Sequence, residues 1–148
     1  MMNIKSMLPV ARERLVTISN KAQLVEAAGL LGGGRVDLVV VCEETGRMVG
    51  VVTRTDIVSR ISQCSGHACT ASVASVMSCD VISCRPTETL EAAWERMKEK
   101  GYVHLPIVDQ HDHPLGTLNA RDALQELLKE VEHEEGLLRD YVMGIGYQ

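Results

Sequence analysis

The hydrophobic positions of this chain follow one pattern that occurs twice, related by a shift of 66 residues that carries Gly50 onto Gly116 and becomes 67 at the strands after the helices. In each half, apolar residues recur with the spacing i, i+3, i+4, i+7 that marks one face of a helix. They are Leu24, Ala27, Ala28 and Leu31 in the first half and Leu90, Ala93, Trp94 and Met97 in the second. This repeat shift therefore predicts two equivalent amphipathic helices within an internal repeat.

Short apolar runs typical of β-strands flank both helices. The runs before the helices are residues 15–18 and 81–84, and those after them are residues 36–41 and 103–108. A polar turn then leads into a further strand, which starts at Gly50 or Gly116, and a second helix follows at once. The order predicts an α/β (α+β) fold of two pseudo-symmetric β-α-β-β-α repeats.

The repeats are predicted to form one module, because a half of about 66 residues buries too little surface to be stable alone. The predicted boundaries are 1–61 for repeat 1, 62–75 for a linker rich in Ser, Ala, Gly and Cys, 76–128 for repeat 2 and 129–148 for a helical tail. From Asp122 to about Val142 an apolar stripe predicts one long helix, or a helix broken at Gly136.

Two Asp-bearing turns stand at matching strand-to-helix junctions, Thr53-Arg54-Thr55-Asp56 and Asn119-Ala120-Arg121-Asp122. A helix start presents backbone N–H groups and the positive end of its dipole, which suits a phosphate. A carboxylate three residues on can accept hydrogen bonds from ribose hydroxyls, and the arginines can contact phosphate oxygens. The alternative is a capping box, in which the acid only reaches back to the cap N–H.

Composition narrows the classes of function. The net charge of −5 and the aromatic content of 3% provide neither the basic surface nor the stacking platforms of nucleic-acid binders. No apolar run approaches the roughly 20 residues that span a bilayer. Because the five cysteines are an odd set, they favour reduced thiols, so we expect a cytoplasmic protein that binds neither membrane nor nucleic acid.

Metal binding and catalysis receive little support from residue spacing. The soft ligands lie in Cys64-x-x-His67-x-Cys69, followed by Cys79 and Cys84, and this spacing matches no common zinc pattern. We see no nucleophile beside a base and no matching carboxylate pair, so we expect a binding module without catalytic residues, metal or catalytic cofactor. A structural or protein-interaction module, a small enzyme acting on a nucleotide and a zinc-bound redox switch are the alternatives.

Three motifs resemble those of cystathionine-β-synthase (CBS) domains. They are the Gly-hydrophobic-hydrophobic-Thr-x-x-Asp turn at residues 50–56, the strand Tyr102-Val103-His104-Leu105-Pro106-Ile107-Val108-Asp109, and Val76-Met77-Ser78 before the second repeat. The resemblance extends from about Ile4 to about Leu128, as a tandem pair or Bateman module. It includes the stand-alone bacterial CBS-pair proteins that carry a further helical tail.

The resemblance implies one potential site per repeat for an adenosine nucleotide such as AMP, ADP, ATP, NAD(H) or S-adenosylmethionine. Asp56 and Asp122 would bind ribose hydroxyls and Thr53 a phosphate, with adenine between the first strand of the repeat and the start of the second. The implied site 1 comprises Thr17, Ile18, Val36, Asp37, Leu38, Thr53, Arg54 and Asp56. The implied site 2 comprises Ser83, Cys84, Val103, His104, Leu105, Pro106, Asn119, Arg121 and Asp122.

The two turns depart from the family pattern in different ways. Asn119 replaces the usual Ser or Thr, although Asn can still cap a helix and donate a hydrogen bond. Repeat 1 has Thr55 before its Asp, where repeat 2 has Arg121, and Val39 where repeat 2 has Pro106. We therefore expect the two sites to differ in occupancy, affinity or ligand.

The resemblance also implies partners, because the family commonly assembles into flat homodimers. The apolar stripe of the C-terminal helix would cover the protein's own core or a second subunit. Ligand binding in the cleft would then bias the relative position of the repeats or the dimer geometry, and an unidentified effector protein would respond to that change.

Overall fold

The chain folds as two α/β halves, each with a small sheet, in a computed structural model that describes residues 2–34, 36–63 and 71–146. The helices are α1 (Leu8–Arg14), α2 (Leu24–Leu31), α3 (Arg54–Gln63), α4 (Leu90–Lys100) and α5 (Ala120–Gly146). The strands are β1 (Thr17–Ser19), β2 (Leu38–Cys42), β3 (Met48–Thr53), β4 (His104–Val108) and β5 (Pro114–Asn119). The predicted fold class is confirmed.

The first sheet has the order β1-β2-β3, with β1 parallel and β3 antiparallel to β2. The central strand β2 is buried on both faces, which explains its continuous run of apolar residues. Val39 and Val41 face α2, whose buried side chains are Leu24, Ala27 and Leu31. The predicted helix face is therefore the one that packs on the sheet.

The second sheet contains only β4 and β5 among the described residues, because residues 81–84 form no full strand. Cys84 alone bridges Ile107 in parallel, and its amide donates to the carbonyl of Pro106 at 3.0 Å. One residue earlier, the carbonyl of Ser83 accepts a hydrogen bond from Arg96 Nη1 at 2.8 Å. The ladder does not continue to Ile82, because in this parallel register its carbonyl would accept from the amide of Pro106, and proline has no N–H.

Helix α4 has both of its ends fixed by local hydrogen bonds. The Thr89 hydroxyl caps its start by accepting from the amide of Ala92 at 3.2 Å. At its end, Gly101 adopts a left-handed conformation with φ of 71° and donates to the carbonyl groups of the last turn. This capped helix supplies Leu90, Ala93 and Met97 to the core of the second half.

The segment that leads into each repeat packs on the hairpin of the other half. Helix α1 lies against β5, and a Cβ placed on Gly116 would lie 2.8 Å from Ala11 Cβ. In the same way, a Cβ placed on Gly50 would lie 2.7 Å from Met77 Sδ. The next residue, Ser78, forms an antiparallel bridge with Val51. The repeat shift also carries Ala11 onto Met77. The two halves are therefore joined by two equivalent contacts, in each of which the lead-in segment of one repeat crosses the hairpin of the other half.

The predicted linker and tail are described in part. Residues 71–75 follow the first half closely, since Leu24 donates to the carbonyl of Ala71 and Val73 is buried in the core of that half. The C-terminal helix α5 runs through Gly136 without a break. The exact domain boundaries stay predictions.

The crossing of α1 over β5 predicts a strong effect of Gly116→Ala. The added methyl group would meet the backbone of Ala11, so we expect the free energy of unfolding to fall by about 1–3 kcal/mol. Gly29→Ala is the matched control, since Gly29 is helical and exposed with nothing within 4 Å of its Cβ. It should gain about 0.5–1 kcal/mol. Equal stability of the two variants in urea unfolding would contradict the close approach.

Candidate functional site

The first Asp-bearing turn forms the capping contacts that its sequence allows. The amide of Thr53 donates to Asp56 Oδ2 at 2.9 Å, and its hydroxyl donates to the same oxygen at 3.1 Å. The turn follows β3 directly and opens α3. Capping therefore holds the carboxylate in a fixed orientation, and this is compatible with a ligand because Thr53 and Asp56 also line a cavity.

This cavity, which we call the interrepeat cavity, has a volume of about 240 Å³. Both halves contribute its lining, which consists of Leu38, Val51, Thr53, Asp56, Ser78, Asp80, Val81, Ile82, Tyr102, His104 and Pro106. A more open space of about 630 Å³ adjoins it and extends to the start of α3. The Asp turn of one half thus faces the lead-in segment and first sheet strand of the other half.

Arg54 is engaged within the first half. Its Nε donates to the carbonyl of Leu31 at 3.0 Å, and its Nη2 donates to the carbonyl of Val36 at 3.0 Å. Its Nη1 donates to Asp37 Oδ1 at 2.9 Å in an exposed ion pair. The guanidinium group therefore holds the loop before β2 against α3, beside the open part of the cleft.

The second Asp-bearing turn has a different arrangement. Asn119 Oδ1 accepts from the amide of Arg121 at 2.8 Å, and Asn119 Nδ2 lies 3.1 Å from His104 Nε2. Asp122, buried to 9% exposure, receives a bidentate ion pair from Arg14 at the end of α1. Hydrogen bonding to Asp122 raises the pKa of Arg14.

The Arg14 side chain fills the space that corresponds to the interrepeat cavity. The remaining void, the Arg14 cavity, has a volume of about 20 Å³ and is lined by Arg14, Val36, Asp37, Leu38, His104 and Thr117. Arg14 and Asp80 occupy equivalent places under the repeat shift. One half therefore presents an open cavity and the other a nearly filled one, because an arginine in one lead-in segment replaces an aspartate in the other.

His104 and Asp37 lie where the two cavities meet. His104 begins β4 and Asp37 precedes β2 directly, and His104 Nε2 lies 3.6 Å from Asp37 Oδ2. Under the strand registers, the equivalent of His104 is Leu38 and that of Asp37 is Val103. Burial lowers the pKa of His104 despite the opposing effect of Asp37. Because Nε2 accepts from the Asn119 amide, the neutral ring carries its proton on Nδ1.

The structure groups the predicted site residues differently from the sequence. Leu38, Thr53 and Asp56 of predicted site 1 share the interrepeat cavity with His104 and Pro106 of predicted site 2. Residues of both predicted sites line one cavity because the lead-in segments cross between halves. The binding roles of these residues stay predictions.

Other predicted residues lie away from the interrepeat cavity. The strand residue Ile18 packs in the core of the first half next to exposed Thr17, and Cys84 and Leu105 belong to the core of the second half. Val103 is 59% exposed and borders only the adjoining open space. The family resemblance implied these residues, and their part in binding stays a prediction.

The sequence interpretation did not identify Arg14, Asp80 or Tyr102 as site residues. Tyr102 lines the interrepeat cavity at its exposed side. The repeat shift would have paired Arg14 with Asp80 if it had been extended into the lead-in segments. Their opposite charge was a usable signal.

Metal ligands do not converge within the described ranges. In residues 2–34, 36–63 and 71–146, no three or more His, Cys, Asp or Glu side chains form a group that could hold a metal ion. Cys64, His67 and Cys69 lie outside these ranges. Cys79 is exposed, whereas burial raises the pKa of the Cys84 thiol to about 12. Among the helices described, none has the length and apolarity needed to cross a membrane.

The chain belongs to the CBS domain family, since the sequence model of that family matches residues 5–63 and 73–129. A curated relative, homoserine O-acetyltransferase of Methanococcoides burtonii, is 29% identical over 118 residues, which are 79% of this chain and 23% of the relative. The chain thus spans less than a quarter of the length of that relative.

Two solved structures share the fold. CBSX2 in complex with AMP has a TM-score of 0.74 at 21% identity, with 87% of this chain and 98% of that chain covered. The CBS domain pair of protein MJ0100, in complex with 5′-methylthioadenosine and S-adenosyl-L-methionine, has a TM-score of 0.72 at 18% identity, with 88% and 98% covered. The predicted tandem CBS pair is therefore confirmed.

The burial of His104 predicts a pH effect. Because its folded-state pKa lies below the ordinary 6.5, the folded chain takes up this proton less readily than the unfolded chain. The stability associated with neutral His104 is present above pH 6.5 and decreases as the pH falls below that value. In an NMR titration, the imidazole signal that disappears in His104→Gln should have a midpoint below 6.5; a higher midpoint would show that attraction to Asp37 outweighs desolvation.

Proposed function

We propose that this chain is a regulatory module that binds an adenosine-containing ligand in the interrepeat cavity. The observation that carries the proposal is the fixed Asp56 carboxylate within a cavity that both halves line. A carboxylate in this position can accept hydrogen bonds from ribose hydroxyls. The fold neighbours support the ligand class, since one is complexed with AMP and the other with adenosyl compounds.

The rest of the cavity suits an adenine ring. Val81, Ile82 and Pro106 provide apolar surface, and the neutral His104 ring provides a polar edge without charge. The adenosine moiety is common to AMP, ADP, ATP, NAD(H) and S-adenosylmethionine, so this surface accounts for recognition of the class rather than of one member.

Regulation follows from the position of the cavity between the halves. A ligand that contacts Asp56 on one side and the segment at Val81 on the other binds best in one relative arrangement of the halves. Its binding free energy therefore favours that arrangement, and an effector protein would respond to it. We infer a regulatory and non-catalytic role in the cytoplasm. A purely structural module with capping turns is the second candidate, supported by the Thr53 to Asp56 contacts.

Exposed apolar residues on two equivalent helices favour a homodimer. They are Val58 and Ile61 on α3 and Leu124, Leu128 and Val131 on α5. The repeat shift carries Val58 onto Leu124. We propose that these two helix faces form the dimer contact, because a second copy would cover both with one symmetric surface.

The binding role of Asp56 is tested by titration calorimetry with adenosine. We expect Asp56→Ala to weaken binding by about 1.5–3 kcal/mol, the value typical of hydrogen bonds to a charged group. Asp112→Asn is the control, because Asp112 lies in the exposed β4–β5 hairpin and Asn tolerates its φ of 63°. Absence of adenosine binding to the wild type at millimolar concentration would favour the structural candidate.

The dimer contact is tested by light scattering on size-separated protein. Val58→Glu and Leu128→Glu should each convert a dimer into a monomer, because each places a charge in an apolar interface. Val25→Glu is the control, since Val25 is 48% exposed on α2 and belongs to neither helix of the proposed contact. A dimer that survives both interface changes would place the contact elsewhere.

A further inference from the structure

The Arg14 cavity contains a buried hydroxyl group that has no protein partner. Thr117 is 2% exposed, and its Oγ1 makes no hydrogen bond to any group in the part of the chain that the structure describes. The equivalent residue facing the interrepeat cavity is Val51, which has no polar side-chain atom. Buried hydroxyl groups are normally hydrogen-bonded, so Thr117 indicates that a polar group is accommodated at this place.

Arg14 occupies this place with its charge neutralised by Asp122. The pair is bidentate, and the Asp122 side chain is 11% exposed, so separating the two groups leaves a largely buried carboxylate. The Arg14 side chain is 39% exposed and can therefore turn toward solvent. A ligand therefore enters most favourably when it supplies a new partner to each of the two ions, because otherwise Arg14 exchanges its ion pair for hydration alone.

The chemistry of the replacement selects the ligand. Ribose hydroxyls can donate to Asp122, but adenosine offers no anion for the released Arg14. A phosphorylated adenosine nucleotide supplies both, since its phosphate can pair with the guanidinium group. By contrast, the described residues that line the interrepeat cavity include two carboxylates, Asp56 and Asp80, and no Lys or Arg.

We propose that Arg14 is a charge-selective gate of a second site at Asp122 and Thr117, which opens to phosphorylated adenosine nucleotides and stays closed to adenosine. This inference rests on the proposed function. The interrepeat cavity is the site that accepts adenosine itself. The two sites of one chain thus distinguish a nucleotide from its nucleoside.

The gate is tested by titrating the full chain with adenosine and with AMP, two ligands that differ only in the phosphate. We expect one adenosine and two AMP molecules per chain. The Arg14→Gln variant should bind a second adenosine molecule. Its affinity for AMP at the second site should fall by at least about tenfold, which corresponds to about 1.4 kcal/mol. Two adenosine molecules per wild-type chain would overturn the gate.

Thr117→Val provides a variant that is safe for folding, because it copies the equivalent Val51 and removes an unpaired hydroxyl group. It should weaken the second AMP event and leave adenosine binding unchanged. If adenosine and AMP each bind once per chain in the wild type, in Arg14→Gln and in Thr117→Val, the gate is wrong and the proposed function stands. If neither ligand binds the wild type, the proposed function itself fails.

Discussion

The close contact between a glycine in each hairpin and the lead-in segment of the other half is the constraint on which this structure depends. At Gly116 the backbone of α1 approaches to a distance that leaves no room for a methyl group, and at Gly50 the chain around Met77 does the same. Neither half can form its sheet surface fully without the other. The stability of each repeat and the shape of each cavity therefore have one common origin.

Charge at one equivalent position makes the two cavities different. The lead-in segments share their path, so residues 14 and 80 face the Asp turns from the same direction. An arginine there pairs with the carboxylate and fills the space, whereas an aspartate leaves the carboxylate and the space available. A pseudo-symmetric backbone thus supports unequal sites through a single side-chain difference.

The features that could be predicted from the sequence are those that local periodicity controls. The helix faces at Leu24 and Leu90 and the hairpin strands around Gly50 and Gly116 lie where the spacing of apolar residues places them. The run at 81–84 has the apolar character of a strand, but its neighbour Pro106 has no N–H to donate to it, and no pattern within the run reports that. The composition of the sites was less predictable because it depends on contacts between distant segments. Asp56 and Pro106 line the same cavity because the lead-in segments cross between the halves. The types of these two residues do not indicate that they share a cavity.

The contact between His104 and Asp37 has a consequence for any chain that arose by joining two copies of one unit. Under the strand registers, His104 corresponds to Leu38 and Asp37 to Val103, so the counterpart of this polar pair across the axis is a pair of apolar residues. An exact duplication would place the same pair on both sides of the axis. The two halves therefore meet through unlike contacts, and the seam between them has lost a symmetry that the backbone keeps.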